Sequence, residues 1–235
     1  MRLVAALFAV CALVHIAPAR AAGEPQRGKE LFQTGCASCH GLEAQGIPGR
    51  APDLHGVGAA AADFYLRTGR MPLDSPRSQP ERSEPAYPSD QIDDLVAYIG
   101  SLGGPSVPAV DPAQGSLSDG QRLFAANCAQ CHQIVGRGGA MPGASIPTLL
   151  HATPTQIAEA VRIGPYVMPR FGPEQISDSD LASIARYVEY AKHPRDEGGW
   201  GMFDIGPVPE GMATWFVGAL ALVLLIRVLG KRAGE

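Results

Sequence analysis

The sequence has 235 residues, of which 46% are hydrophobic, and it carries a formal net charge of −4. This length suits one large domain or two small ones. Residues 23–210 contain 14 basic and 22 acidic side chains and no basic cluster. This balance argues against a nucleic-acid partner and favours a positively charged docking face on a protein partner.

The first 22 residues have the pattern of a secretory signal peptide. A basic start is followed by an apolar run over residues 3–16 and by small residues at Ala19 and Ala21. We therefore predict that residues 1–22 are a signal peptide, cleaved after Ala21 or Ala22. The alternative is an uncleaved membrane anchor, although this run of fourteen residues is short for a membrane span.

Residues 24–102 are predicted to form a small helical domain around the motif Cys36-Ala-Ser-Cys39-His40. Gly28 and Phe32 precede this motif in a stretch that suits a short helix. A closing amphipathic helix carries Tyr98 and a set of apolar residues with helical spacing: Ile92, Leu95, Val96 and Ile99. Because a glycine allows another helix to cross closely, we predict that Gly28 meets this closing helix, with Tyr98 as its large neighbour.

Residues 103–115 are a linker rich in Gly and Pro, and residues 116–193 repeat the arrangement of the first unit. The second motif is Cys128-Ala-Gln-Cys131-His132, with Gly120 and Phe124 at the same distances before it. We therefore predict a second helical domain of the same kind.

The second unit contains two further predicted helices. Its closing helix carries Tyr187 and four apolar residues with helical spacing: Leu181, Ile184, Ala185 and Val188. A preceding helix begins with Thr153 as its N-cap, Pro154 at its first position and Gln156 three residues after the cap. Since no strand pattern is evident, the predicted fold class is all-α.

Residues 212–229 are apolar enough for a transmembrane helix, and a helix of that length rises about 27 Å. Trp215 lies near its start, and basic residues cluster at its end: Arg227, Lys231 and Arg232. The positive-inside tendency predicts that this end is cytoplasmic. Residues 194–211 are then a juxtamembrane segment and residues 230–235 a cytoplasmic tail. Both predicted domains would lie on the outer face of the cell membrane.

The two motifs of the form CxxCH are typical attachment sites for c-type haem. Of the five cysteines, Cys11 lies in the signal peptide, so the other four form these two motifs. Zinc is an alternative, but a His directly beside a Cys is an awkward chelate for one tetrahedron. A thioredoxin-like site is another alternative, but the βαβ setting it requires is missing. We predict two covalently bound haem c groups.

Each haem iron needs a second axial ligand besides His40 or His132. A Met-Pro pair follows each motif, so Met71 and Met168 are the predicted ligands, and a thioether raises the reduction potential relative to a second His. Rival ligands remain open: Met141, His55 and His151. The free ring nitrogen of a ligating His usually contacts a carbonyl, for which the candidates are those of Pro52 and Pro147.

The order of these features in both units resembles a tandem class I cytochrome c. Three stretches narrow the resemblance: residues 69–105, residues 151–171, and residues 198–225 with the segment IGPVPEG. With them the chain resembles the dihaem cytochrome c subunit of the actinobacterial-type cytochrome bc complex, over nearly all of residues 24–232.

The resemblance implies a subunit of a menaquinol–cytochrome c reductase that contains cytochrome b and a Rieske iron–sulfur protein. The Rieske protein would donate electrons, and the copper centre of an aa-type cytochrome oxidase would accept them. The resemblance also implies thioether bonds at four cysteines and His/Met ligation of both irons: Cys36, Cys39, His40 and Met71 for the first haem, and Cys128, Cys131, His132 and Met168 for the second. The alternatives are an electron-transfer subunit of another membrane oxidase or dehydrogenase, and a dihaem peroxidase.

Overall fold

The computed structural model describes residues 23–194 and 207–233. The signal peptide predicted for residues 1–22 and most of the predicted juxtamembrane segment lie outside these ranges. The chain divides into one compact unit up to Ala191 and a second from Lys192 onward.

The first unit contains both CxxCH motifs and is mainly helical, which confirms the predicted fold class. Its first part consists of α1 (Pro25–Gly35), α2 (Ala37–His40), α3 (Ala59–Arg67) and α4 (Ser89–Ser101). After a 3₁₀ turn at Pro112–Gln114, the second part consists of α5 (Leu117–Asn127), α6 (Ala129–His132), β1 (Gly139–Met141), β2 (Ala144–Ile146), α7 (Pro154–Ile163) and α8 (Asp178–Lys192).

The helix before each motif crosses the closing helix at its glycine, as predicted. A Cβ atom on Gly28 would lie 2.0 Å from the carbonyl oxygen of Asp94 and 2.8 Å from Cβ of Tyr98. One turn further along α1, the rings of Phe32 and Tyr98 have their centroids 5.3 Å apart. The glycine therefore permits the contact that buries both aromatic rings.

The second part uses the same crossing. A Cβ atom on Gly120 would lie 2.0 Å from the carbonyl oxygen of Ser183, and the ring centroids of Phe124 and Tyr187 are 5.2 Å apart. The predicted start of α7 is also confirmed, because Thr153 and Gln156 form a reciprocal capping box. The repeat seen in the sequence is thus a repeat in the structure.

The sequence showed no strand pattern, but the second part contains one short β-hairpin. β1 and β2 form an antiparallel hairpin in which Met141 pairs with Ala144. Pro142 and Gly143 make the turn between them, and Gly143 has a positive φ of 82°, a conformation that glycine adopts without strain. Three-residue strands are too short to show an alternating pattern, so periodicity could not reveal this hairpin.

Helix α3 of the first part packs against α7 of the second, and an acidic pair lies in this contact. Asp63 is 7% exposed and Glu159 is fully buried. Arg67 donates a hydrogen bond of 2.6 Å from Nε to the Asp63 carboxylate and also pairs with Asp93 of α4. Neither carboxyl oxygen of Glu159 has a hydrogen-bond partner among the described residues.

Burial, together with the nearby negative charge of Asp63, raises the pKa of Glu159 to about 9, against the lowering effect of Arg67. In the unfolded chain the same carboxyl group ionises near its ordinary pKa of 4.5. Between these two pH values the unfolded state has released a proton that the folded state keeps. The free energy of unfolding therefore falls as pH rises, by at most about 1.4 kcal/mol per pH unit.

We expect Glu159→Gln to remove most of this pH dependence, because the amide fits the same space without ionising. The test is thermal unfolding of the detergent-solubilised protein. The melting temperature of the variant minus that of the wild type should be larger at pH 8 than at pH 5. Glu174→Gln is the matched control, because Glu174 is exposed in the same part of the chain. Equal pH slopes for Glu159→Gln and the wild type would contradict the assignment.

The second unit contains α9 (Pro207–Ala233). Within residues Val208–Lys231 of this helix, the most apolar window has a mean hydropathy of 2.2, and none of that window is buried. Trp215, near the start of this segment, is 79% exposed. The helix is thus long and apolar enough to cross a membrane, and it extends beyond the predicted span of residues 212–229 at both ends.

Candidate haem sites

The first CxxCH motif lies where α1 passes into the single turn of α2. The backbone N–H of Cys36 donates to the carbonyl of Phe32 over 2.8 Å, and the N–H of His40 donates to the carbonyl of Cys36 over 3.0 Å. This helical turn places Cys36 and Cys39 three residues apart on one side of the chain. His40 follows directly, so the motif presents two thiols and one imidazole from a single turn.

The second motif repeats this backbone geometry between α5 and α6. The N–H of Cys128 donates to the carbonyl of Phe124 over 2.8 Å, and the N–H of His132 donates to the carbonyl of Cys128 over 2.9 Å. Both motifs are therefore held by the same hydrogen bonds at closely similar distances.

The four thiols of the motifs are free in this structure. Burial raises the pKa of Cys36 and of Cys128, each to about 11, so both are neutral thiols at physiological pH. Within residues 23–194 and 207–233, no group of three or more His, Cys, Asp or Glu side chains could hold a metal ion together.

Each motif histidine makes the carbonyl contact predicted for it. Nδ1 of His40 lies 3.0 Å from the carbonyl oxygen of Pro52, and Nδ1 of His132 lies 3.2 Å from that of Pro147. When Nδ1 donates this bond, the lone pair of Nε2 remains free for an iron ion. Burial also lowers the pKa of His132, which favours the neutral form that a metal requires.

The candidate methionines differ in their surroundings. Met168 is partly buried and packs against the core cluster that contains Phe124 and Tyr187. Met141 is 43% exposed on the β1–β2 hairpin. Met71 follows α3, and its backbone N–H donates to the carbonyl of Tyr65 over 3.2 Å.

The rival histidines lie on the surface. His55 places Nδ1 2.6 Å from the carboxylate of Asp53, and its side chain is 48% exposed. His151 is also exposed. These surroundings agree better with the predicted ligands Met71 and Met168, whose binding to iron stays a prediction.

These residues fit a covalently bound haem. Two thiols on one helical turn suit two thioether bonds, and each histidine has its ring fixed by a carbonyl contact. An apolar core lies behind each motif, around Phe32 in the first part and Phe124 in the second. The fold and these sites define a tandem c-type cytochrome, a class of electron-transport protein that binds haem.

Comparison with known proteins narrows this class. The family described as "Cytochrome c" matches residues 25–103, and that described as "Cytochrome C oxidase, cbb3-type, subunit III" matches residues 115–188. The chain is 40% identical over 216 residues to the "Cytochrome bc1 complex cytochrome c subunit" of Mycobacterium tuberculosis, which covers 88% of this chain and 77% of that protein. The protein of the same name from Corynebacterium diphtheriae is 36% identical over 88% of this chain and 81% of that protein.

A more distant relative is the "Cbb3-type cytochrome c oxidase subunit CcoP" of Azospirillum, which is 29% identical over 68% of this chain and 60% of that protein. The chain belongs to the family of cytochrome bc1 complex cytochrome c subunits. The resemblance inferred from the sequence is therefore confirmed.

Proposed function

We propose that this chain binds two haem c groups and carries electrons from the Rieske protein of a cytochrome bc complex to the copper centre of an aa-type oxidase. The observation that carries the proposal is the repeat of the CxxCH turn, with its histidine in contact with a carbonyl, in each half of the first unit. A single site would suffice for a protein that passes electrons to a separate cytochrome c. Two sites in one chain provide two successive positions for an electron between its donor and its acceptor.

In the proposed assignment, Cys36 and Cys39 would bind the first haem covalently, and His40 and Met71 would be the ligands of its iron. The matching residues for the second haem are Cys128, Cys131, His132 and Met168. Each bound haem supplies an iron that gains and loses one electron. The chain's own contribution would be to hold each iron with one histidine and one methionine, because an iron with all its ligands exchanges electrons and has no open position for a substrate.

The protein also sets the conditions for electron exchange. The Pro52 and Pro147 carbonyls fix the rings of the two ligating histidines, which increases their basicity and orients them. Methionine as the other ligand raises the reduction potential relative to a second histidine. Both features suit a carrier that accepts electrons from a high-potential donor.

Helix α9 would fix this carrier at the membrane surface. Its basic end, with Arg227 and Lys231, favours the cytoplasmic side, which would place the haem domains on the outer face. Relatives named as subunits of a bc1 complex support partners of the same kind for this chain: cytochrome b and a Rieske protein. The chain would then be one subunit of a quinol–cytochrome c reductase.

A second candidate function is an electron-transfer subunit of a cbb3-type oxidase. It has one specific observation in its favour, since residues 115–188 match the family named for subunit III of that oxidase. The identity to the bc1 subunits is higher and spans more of the chain. We therefore place this candidate second.

Purification from the native membranes in mild detergent would test the proposal. A tagged chain should bring cytochrome b and the Rieske protein with it, and quinol should reduce c-type haem in that preparation. A chain that ends at Lys192 is the control, because it keeps both CxxCH motifs but lacks α9. Co-purification with the catalytic subunit of a cbb3-type oxidase, without cytochrome b, would refute the first candidate and support the second.

A further inference from the structure

Arg70 is a buried cation without a complete set of partners. It directly precedes Met71 and is 8% exposed. Its guanidinium carbon lies 5.0 Å from the centre of the Phe64 ring, which accounts for one face of the group. Within the described part of the chain, Nη1 of Arg70 has no hydrogen-bond partner.

A second arginine lies near this site. Arg82 is close enough for its positive charge to act on Arg70, and its Nη2 donates to Oε1 of Gln156 over 2.5 Å. Gln156 belongs to α7, so Arg82 connects this site with the second haem domain. No described carboxylate forms a salt bridge with Arg70 or Arg82, whereas Arg67 nearby pairs with Asp63 and Asp93.

Two neighbouring cations, one of them buried, require a negative partner. An unpaired buried charge is costly, and proteins pair such groups almost without exception. The planar guanidinium fork matches a carboxylate in particular, with two parallel N–H···O bonds. The free Nη1 of Arg70 and the lack of a pairing carboxylate thus indicate an anionic ligand with carboxylate-like chemistry.

We propose that Arg70 and Arg82 bind a propionate carboxylate of the first haem at the boundary between the two haem domains. The proposal rests on the proposed function, because it needs a haem attached at Cys36 and Cys39. The haem c group carries two propionates, and Arg70 is adjacent in sequence to the proposed axial ligand Met71. The Arg82–Gln156 bond ties this propionate site to the domain of the second haem.

The proposal has an electrochemical consequence. Positive charge beside a haem stabilises the reduced iron, which carries one positive charge less than the oxidised iron. Arg70 and Arg82 therefore raise the reduction potential of the first haem. Removing one of them should lower the potential of one haem and leave the other nearly unchanged.

A redox titration of the full-length protein in detergent, followed by the c-type haem absorbance, tests this. We expect Arg70→Gln to lower the midpoint potential of one of the two haems, and Arg70→Lys, which keeps the charge, to lower it less. Arg77→Gln is the matched control, because it removes an exposed positive charge from the same loop, and it should leave both potentials unchanged. Resonance Raman spectra should show a change in the propionate bending modes for Arg70→Gln alone.

Measuring the number of attached haems distinguishes a failure of the propionate proposal from a failure of the proposed function. If Arg70→Gln keeps two attached haems but changes neither potential nor propionate modes, the propionate site is refuted while the function stands. If Arg70→Gln does not fold, Arg82→Gln takes its place: a lowered potential supports the site, and unchanged potentials overturn it.

A free anion such as phosphate has the same chemistry and could occupy the site instead. Titrating the wild-type protein with phosphate at constant ionic strength distinguishes the two sources. If a propionate occupies the site, phosphate should change neither reduction potential. A saturable shift that is absent in Arg70→Gln would show that a solution anion binds there, and it would overturn the propionate proposal.

Discussion

Replacement of Met168 by histidine is expected to lower the reduction potential of one haem and to leave the haem in place. The thioether of Met168 would give way to an imidazole, which stabilises the oxidised iron. Axial ligands change haem potentials over a range of about 0.8 V, and we expect a decrease on the order of 0.1 V for this exchange. Quinol-driven electron flow through the chain should fall with it, because one of the two carriers becomes a poor acceptor.

The same variant has a spectroscopic signature. A His/Met haem in its oxidised form shows a near-infrared charge-transfer band from sulfur to iron, and Met168→His should remove about half of its intensity, since one of two such ligand pairs is lost. Met71→His should remove the other half.

Met141→His is the control for this prediction. Met141 also precedes a proline, but it lies exposed on the β1–β2 hairpin, so its exchange should leave the band and both potentials unchanged. If Met141→His reduces the band and Met168→His does not, the ligand assignment in the second domain is wrong.

The helix crossings could be predicted from the sequence because their cause is local. Gly28 and Phe32 lie one helical turn apart. Tyr98 of the first unit has its counterpart in Tyr187, at the matching position of the second unit. Because the sequence repeats, the residues of each contact occur twice. A pattern that is weak evidence in one unit becomes stronger evidence when it recurs in the second. The structure confirms the first crossing through the close approach of Gly28 to Asp94, and the second through that of Gly120 to Ser183.

The carbonyl contacts of the motif histidines could be predicted only as candidates. Pro52 and Pro147 follow their histidines at different distances, and a proline in a loop is common for reasons of its own. The structure brings both carbonyls to Nδ1 of His40 and His132. Ligating histidines usually contact a carbonyl through their other ring nitrogen, but only the loop conformation shows which carbonyl this is.

The charged groups between the two domains could not be predicted. Glu159 follows buried Ile157 and Ala158 on α7, but a glutamate in a sequence suggests a solvent-exposed face. Its burial comes from α3, which lies far away in the chain and packs against α7. Arg70 was missed for the same reason, because only the folded chain shows that its Nη1 lacks a partner.

The measurement that tests the central claim most directly is the mass of the intact chain under denaturing conditions, together with a haem stain. Cys36 and Cys39 should bind one haem covalently and Cys128 and Cys131 another, so the mature chain should exceed its polypeptide mass by two haem groups. Joint replacement of Cys36 and Cys39 by alanine should leave one haem on the second motif, or a chain that is degraded because its first domain lacks its core. A wild-type mass that corresponds to one haem or to none would contradict the account.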